Sequence, residues 1–134
     1  MSAVVHDLES AKEFFKGDLY ATEVTGIEIL EAGPGRSKVG LTITPQHRNA
    51  AGAVMGAVYF TMADFAFAVA ANFGHGITVT TSSDIQFLAG TKGNTLFAET
   101  ACVKEGNHTC LYRTEVRDDL GTLVALVTAS GYRK

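Results

Sequence analysis

One carboxylate stands alone in the most apolar stretch of the chain. Residues 57–73 are almost all alanine, phenylalanine and other apolar types, and Asp64 lies near their middle with Phe60, Thr61, Phe67 and Ala68 one helical turn away. Thr61 is then its only local polar partner. A carboxylate buried in such company costs several kcal/mol or takes up a proton, and chains keep such groups mainly for specificity or for reaction chemistry. A hydrogen-bonded structural aspartate is the plain alternative. Just before this stretch runs His47-Arg48-Asn49-Ala50-Ala51-Gly52-Ala53-Val54-Met55-Gly56, whose small residues permit a tight loop and a close approach by ligand. Where a helix begins, free N–H groups can stabilise an oxyanion, provided Gly56 lets a carbonyl come near. A loop that simply needs glycine would look the same.

The elements that must hold these groups follow from periodicity. Leu8, Ala11, Phe14 and Phe15 recur at helical spacing, with Asp7 placed to cap the first turn and Gly17 to end it. From 21 to 32 and from 36 to 44 the pattern changes to period two, with Val39, Leu41 and Ile43 opposite Lys38, Thr42 and Thr44, so two strands joined by Ala32-Gly33-Pro34-Gly35 are expected. The stretch 57–73 predicts one helix of about 25 Å, short of the roughly 30 Å of a bilayer's hydrocarbon and interrupted by a charge. It is expected to be wrapped by strands rather than lipid. Segments 77–88, 94–104, 109–118 and 122–132 all look extended and are joined by short polar turns, which predicts a four-strand antiparallel meander. The outcome is an α+β domain spanning 1–134, with a curved antiparallel sheet around one long central helix.

Composition narrows the partners. With 134 residues, 46% hydrophobic, 11 basic against 14 acidic side chains and a formal net charge of −3, the chain can build a core and has no long-range attraction for nucleic acid or an anionic membrane. Two cysteines are too few for a disulfide scaffold, and MSAVVHDLES lacks the features of a signal peptide, so a reducing, cytoplasmic location is expected. Cys102 and Cys110 read as small apolar filler flanking a turn, either opposed or offset according to its length. His6, His47, His75 and His108 are scattered without metal-ligand spacing, so no metal is expected, and His47 reads as a solvated loop residue.

Taken together, Asn49, Gly56, Asp64 and the Ala/Phe helix resemble a known family, the hotdog-fold acyl-CoA thioesterases of the PaaI-like group. That family has a loop Asn-x-x-Gly-x-x-His-Gly-Gly followed by Leu-Ala-Asp-x-Ala, and here the corresponding residues are Asn49-Ala50-Ala51-Gly52-Ala53-Val54-Met55-Gly56-Ala57 and Met62-Ala63-Asp64-Phe65-Ala66. Ser82-Ser83-Asp84 resembles the family's Ser-x-Asp. The likeness extends to strand order and so covers nearly the whole chain.

The resemblance implies a hydrolysis in which the Gly56 N–H polarises a thioester carbonyl and Asp64 attacks it or activates water. Asn49 would fix the loop or that water, and Ser82 would orient the water or the carboxylate. It also implies loop and aspartate from different subunits, hence a homodimer or dimer of dimers, acting on an acyl-CoA without cofactor. Two positions depart from the family: its histidine is Met55 and its second glycine Ala57, and both would then line the substrate channel. For the phosphates of coenzyme A, Arg36, Arg48, Lys92, Lys104 and Arg113 are the cations available, with Arg48 and Lys92 nearest the loop and a glycine-flanked turn. A non-catalytic acyl-CoA or hydrophobic-acid binding module is the alternative, and an interaction protein with neither property is the third.

Overall fold

A computed structural model describes residues 4–134, and the first three residues of the segment read against a signal peptide lie outside that range. The chain opens with α1 (Leu8–Phe15), where Asp7 caps by accepting the Ser10 N–H at 2.8 Å and Ser10 Oγ accepts the Asp7 N–H at 3.0 Å. Strands β1 (Glu28–Gly33) and β2 (Arg36–Thr42) precede the central helix α2 (Gly56–Asn72). Four more follow: β3 (Thr78–Phe87), β4 (Thr95–Glu105), β5 (Thr109–Asp118) and β6 (Leu123–Arg133). Among the described residues no helix is long and apolar enough to cross a membrane.

All six strands join one antiparallel sheet in the order β1-β2-β4-β5-β6-β3. This corrects the expected four-strand run, because β3 does not pair with β4. Leaving the helix, the chain enters the sheet at its far edge against β6, and the long connection through residues 88–94 carries it back to β2, so only β4, β5 and β6 form a meander. The segment expected as one strand from 21 to 32 is also divided. Tyr20–Thr25 is a wide helical turn whose Gly26 N–H reaches back five residues to Ala21 O at 3.1 Å, and Gly26, at φ +88°, ends it in a left-handed conformation that favours glycine. Ala21 and Thr25 are buried while Tyr20, Thr22, Glu23 and Val24 are not fully so, a four-residue spacing that belongs to a helical turn, and period-two burial begins only at Ile27 and Ile29.

The core lies between the sheet and one side of α2. Met62, Ala63, Phe65, Ala66 and Val69 share a core with Val39, Leu41, Leu96, Ala98, Val116 and Val127, and Phe67, Ala70 and Ala71 form a second cluster with Cys110, Tyr112 and Ala129. Alanine on the helix allows close approach, and Ser37 Oγ crosses the gap to donate to Ala66 O at 2.6 Å. At the C-terminal end Arg133 donates to Ala71 O at 2.9 Å and pairs with Glu105, which also accepts the Tyr112 hydroxyl at 3.1 Å. The helix is nevertheless covered on one side only. Ala57, Phe60 and Asp64 are exposed and Thr61 and Ala68 half-buried, a strip at helical spacing that a single sheet leaves open. The cysteines are offset, Cys102 opposite Tyr112 and Cys110 opposite Glu105, and only Cys110 is buried, so Cys102 is not core filler.

Asp118 ties the loops at one end of the sheet. Its buried carboxylate accepts the N–H groups of Lys92 (2.8 Å), Gly93 (3.1 Å), Leu120 (3.0 Å) and Thr122 (2.9 Å). Burial opposes its charge, but the four donors prevail and hold it well below the usual carboxylate range. A carboxylate depressed in the folded state stabilises above its unfolded pKa and loses that contribution as pH falls. We therefore expect Asp118→Asn to cost about 2–4 kcal/mol at pH 7, with the deficit shrinking below about pH 4. Chemical denaturation of both proteins at pH 7 and pH 3 measures it, and an equal deficit at both would refute the charged role.

Candidate functional site

The loop ahead of α2 is built by its own polar side chains. Asn49 Oδ1 accepts the N–H groups of Ala51 at 3.0 Å and Ala53 at 3.1 Å, its backbone N–H donates to Ala53 O at 2.7 Å, and Gly52 turns the chain at φ +87°. Arg48 Nη1 donates to Gly52 O at 3.0 Å. Contrary to expectation, His47 is buried rather than solvated. Its Nδ1 accepts the Thr44 N–H at 3.0 Å and its Nε2 donates to Thr25 O at 2.7 Å, so these bonds define the tautomer and tie the loop to the wide turn at 20–25. No periodic signal marks that role, since the partners are backbone atoms 3 and 22 residues away.

The loop delivers a helix start with nothing capping it. Met55 occupies the cap position without a side-chain oxygen, and Val58 N–H turns back to Met55 O at 3.0 Å. Among the described residues, the N–H groups of Gly56 and Ala57 find no acceptor. Gly56 lies against the ring of the exposed Phe87: a Cβ there would stand 2.8 Å from Cε1 of that ring, which also meets Tyr59, so the ring would have to shift aside. Beyond Phe87, the Tyr59 hydroxyl bonds Thr91 at 2.5 Å, which brings the loop bearing the exposed Lys92 near this helix end.

Asp64 is exposed on the open strip, not buried, which corrects the premise drawn from its neighbours. Thr61 does not serve it, because its hydroxyl donates to Ala57 O at 2.9 Å, and among the described residues the Asp64 carboxylate has no hydrogen bond or ion pair. The carboxylate reaches solvent yet stands against packed protein. That partial desolvation raises its pKa above the ordinary carboxylate value, and the charge of Asp18 adds to the rise. Asp18 was not singled out in the sequence. The T-shaped contact of Phe15 on Phe65, with ring centroids 5.8 Å apart, anchors its neighbourhood beside Asp64.

Distance along the helix decides what one chain can do. Eight residues separate Gly56 from Asp64, roughly 12 Å at 1.5 Å per residue. An oxyanion donor must lie about 3 Å from the carbonyl oxygen, and an attacking atom about 3–3.5 Å from its carbon. Both groups of one chain cannot serve one carbonyl.

The remaining candidates divide. Pairing places Ser82 with Ser130 and Asp84 with Thr128 on the outer face of β3, whereas Ser83 and Ile85 share the helix side with Ala129 and Val127. Arg36 is paired with Glu31 at 3.2 Å and Arg113 with Glu115 at 3.3 Å on the sheet. Lys104 lies at the other end of β4. Arg48 and Lys92 remain the cations on the loops beside the helix start.

A six-stranded antiparallel sheet around one long helix is the architecture of the hotdog fold, and free N–H groups at that helix's start suit the thioester hydrolases built on it. The chain belongs to the thioesterase superfamily, whose family model matches residues 51–125. A relative from Archaeoglobus fulgidus is 32% identical over 94% of this chain and 82% of its own. The acyl-coenzyme A thioesterase PaaI of Escherichia coli is 30% identical over 93% of this chain and 89% of its own. In the solved structures, the E. coli PaaI protein of the phenylacetic acid degradation operon is similar with a TM-score of 0.82 at 26% identity, covering 95% of this chain and 96% of that one. A protein from Thermus thermophilus gives 0.79 at 30% identity, over 84% and 96%.

The link between the two acids is directly measurable. Asp18→Asn is expected to lower the Asp64 pKa while leaving it above the ordinary value, because desolvation is the larger cause. NMR titration of the Asp64 carboxyl reads the midpoint, and an unmoved midpoint means that the two are uncoupled.

Proposed function

We propose that the protein is an acyl-CoA thioesterase that releases free acid and CoA from a short-chain, medium-chain or aryl-acyl thioester. The observation that carries this is the uncapped start of α2, where Gly56 offers an N–H to a developing oxyanion while a carboxylate of raised pKa lies on the open strip of the same helix. Asp64 acts as nucleophile or general base. Asn49 holds the loop that aims the Gly56 N–H, Met55 and Ala57 line the substrate channel, and Arg48 and Lys92 meet the phosphates of CoA. The family membership and the name of the E. coli relative support the substrate class.

The roughly 12 Å between Gly56 and Asp64 requires a second copy, so the working unit is a homodimer or a dimer of dimers. Strand β3 is the edge suited to it. It is ten residues long, contains neither lysine nor proline, and lies beside the exposed Ile77, Val79, Phe87 and Leu88, whereas the other edge, β1, is six residues with two glutamates. A copy paired along β3 covers the strip of α2 and sets its Asp64 against this chain's loop. Ser82, on the outer face of β3, enters the reaction only at that junction.

Asp64→Asn is expected to lower thiol release from acyl-CoAs by at least about a hundredfold with little change in stability, the scale of losing a nucleophile or base. Undiminished release would remove Asp64 from the reaction. Val79→Lys is expected to dissociate the assembly and lower turnover with it, as native mass and activity on one preparation would report. Met55 in place of the family's histidine favours one rival, a binding module without turnover. Tight acyl-CoA binding with no thiol release, and turnover gained by Met55→His with Ala57→Gly, would establish that rival.

A further inference from the structure

The free Gly56 N–H stands at the end of a loop with little protein behind it. From Thr44 to Met55 only His47 and Val54 are buried, and every other residue of that span is exposed. The loop closes on itself as a small hairpin: Arg48 bridges to Val54, the Asn49 N–H donates to Ala53 O at 2.7 Å, and the Met55 N–H donates to His47 O at 3.0 Å. His47 and Met55 are thus its two feet, and Gly56 follows one of them directly. Val54 anchors the hairpin by apolar burial, which sets depth without direction. Direction falls to His47.

Its imidazole bonds outward from both nitrogens. Nδ1 accepts the Thr44 N–H at 3.0 Å within the same short turn, whereas Nε2 donates at 2.7 Å to Thr25 O, 22 residues earlier in the chain. Thr25 is itself buried, at the end of the wide turn that the Gly26 and Ile27 N–H groups brace on Ala21 O at 3.1 and 2.9 Å, and Ile27 roots that turn in the core. Gln46 also crosses to this turn, but its bond to Val24 O is exposed and 3.4 Å long, too long to steer the loop.

We propose that His47 is a positioning residue for the thioester hydrolysis: its Nε2–H bond to Thr25 O holds the hairpin foot so that the Gly56 N–H points where the oxyanion develops. The inference rests on the reaction proposed above and adds to its machinery a side chain and a carbonyl of the wide turn. Both ring nitrogens are committed, so His47 takes no part in proton transfer. An oxyanion donor acts chiefly as charge develops, so a misaimed one lowers kcat and leaves substrate binding nearly unchanged. A misplacement of about 1 Å is enough to cost about a hundredfold.

The two nitrogens can be replaced one at a time. Asparagine puts an acceptor near Nδ1 but falls short of Thr25, and glutamine puts a donor near Nε2 but gives up Thr44. His47→Asn is expected to lower kcat for thiol release from acyl-CoAs at least about tenfold with KM changed by less than about threefold, while His47→Gln keeps at least about a third of kcat. Undiminished kcat in His47→Asn, equal losses in the two variants, or a KM that rises as kcat falls overturns the proposal. Amide hydrogen exchange judges the clamp without turnover: the Met55 N–H is expected to exchange at least about tenfold faster in His47→Asn than in the wild-type protein, and nearly normally in His47→Gln. Unchanged exchange in His47→Asn overturns the clamp. Wild-type protein that releases no thiol refutes the hydrolysis and leaves the exchange rates to decide the clamp. Should His47→Asn fail to fold, the imidazole nitrogen shifts of the wild-type protein and kcat of His47→Gln decide. A proton on Nε2 with Nδ1 bare, together with retained kcat, upholds the proposal, and the opposite tautomer or a lost kcat overturns it.

Discussion

A helix that is apolar on nearly every side has been given a sheet that can cover only one of them. Met62, Ala63, Ala66, Val69 and Ala70 take the covered side, and the contact is close enough for Ser37 to hydrogen-bond the helix backbone at Ala66. Ala57, Phe60, Thr61, Asp64 and Ala68 are left along the other. An open apolar strip and an undefended strand edge are each unfavourable in water. The carboxylate and the free N–H groups both border the uncovered strip of the helix.

The loop before the helix meets a different demand, which is to present backbone donors without satisfying them. Its side chains are spent elsewhere. Asn49 holds Ala51 and Ala53, Arg48 holds Gly52, and His47 joins Thr44 to Thr25, so the chain arrives at Met55 rigid but without an oxygen that could fold back on the first turn. Gly56 then lets the Phe87 ring lie against the backbone, where a side chain would displace it. Donors held in place before a ligand arrives cost no reorganisation when charge develops, and that is what an oxyanion site requires. Asp118 does comparable work one layer away, using four backbone N–H groups to hold the loop that carries Lys92.

Much of this was legible in the residues alone. The Ala/Phe run from 57 to 73 announced the central helix to within a residue at each end, Leu8, Ala11, Phe14 and Phe15 behind the Asp7 cap announced the first, and period-two runs bounded by glycine turns announced five of the six strands closely. Strand β1 was lengthened wrongly because residues 21–25, where Ala21 and Thr25 are buried four positions apart, run directly into a true period-two stretch that starts at Ile27. His47 was misjudged because its partners are backbone atoms, one of them 22 residues away, which leave no mark on the residues around it. Asp18 went unnoticed because its relation to Asp64 arises from the packing of Phe15 on Phe65, 50 positions apart in the chain.

The sequence by itself determined the local choices: which segments are helical or extended, where glycine lets the chain turn, and that a lone acid follows a glycine-bearing loop. Those follow from side-chain volume, polarity and backbone freedom within a few residues. Tertiary structure alone decided that β3 pairs with β6 instead of β4, that one flank of the helix stays open, and that Asp64 and Gly56 stand two turns apart on the same rod. Strand pairing is settled by the whole sheet's competition for a shared core. The reach between two side chains on one rigid helix becomes a requirement for a second chain only once the fold shows that nothing else in the first covers that flank.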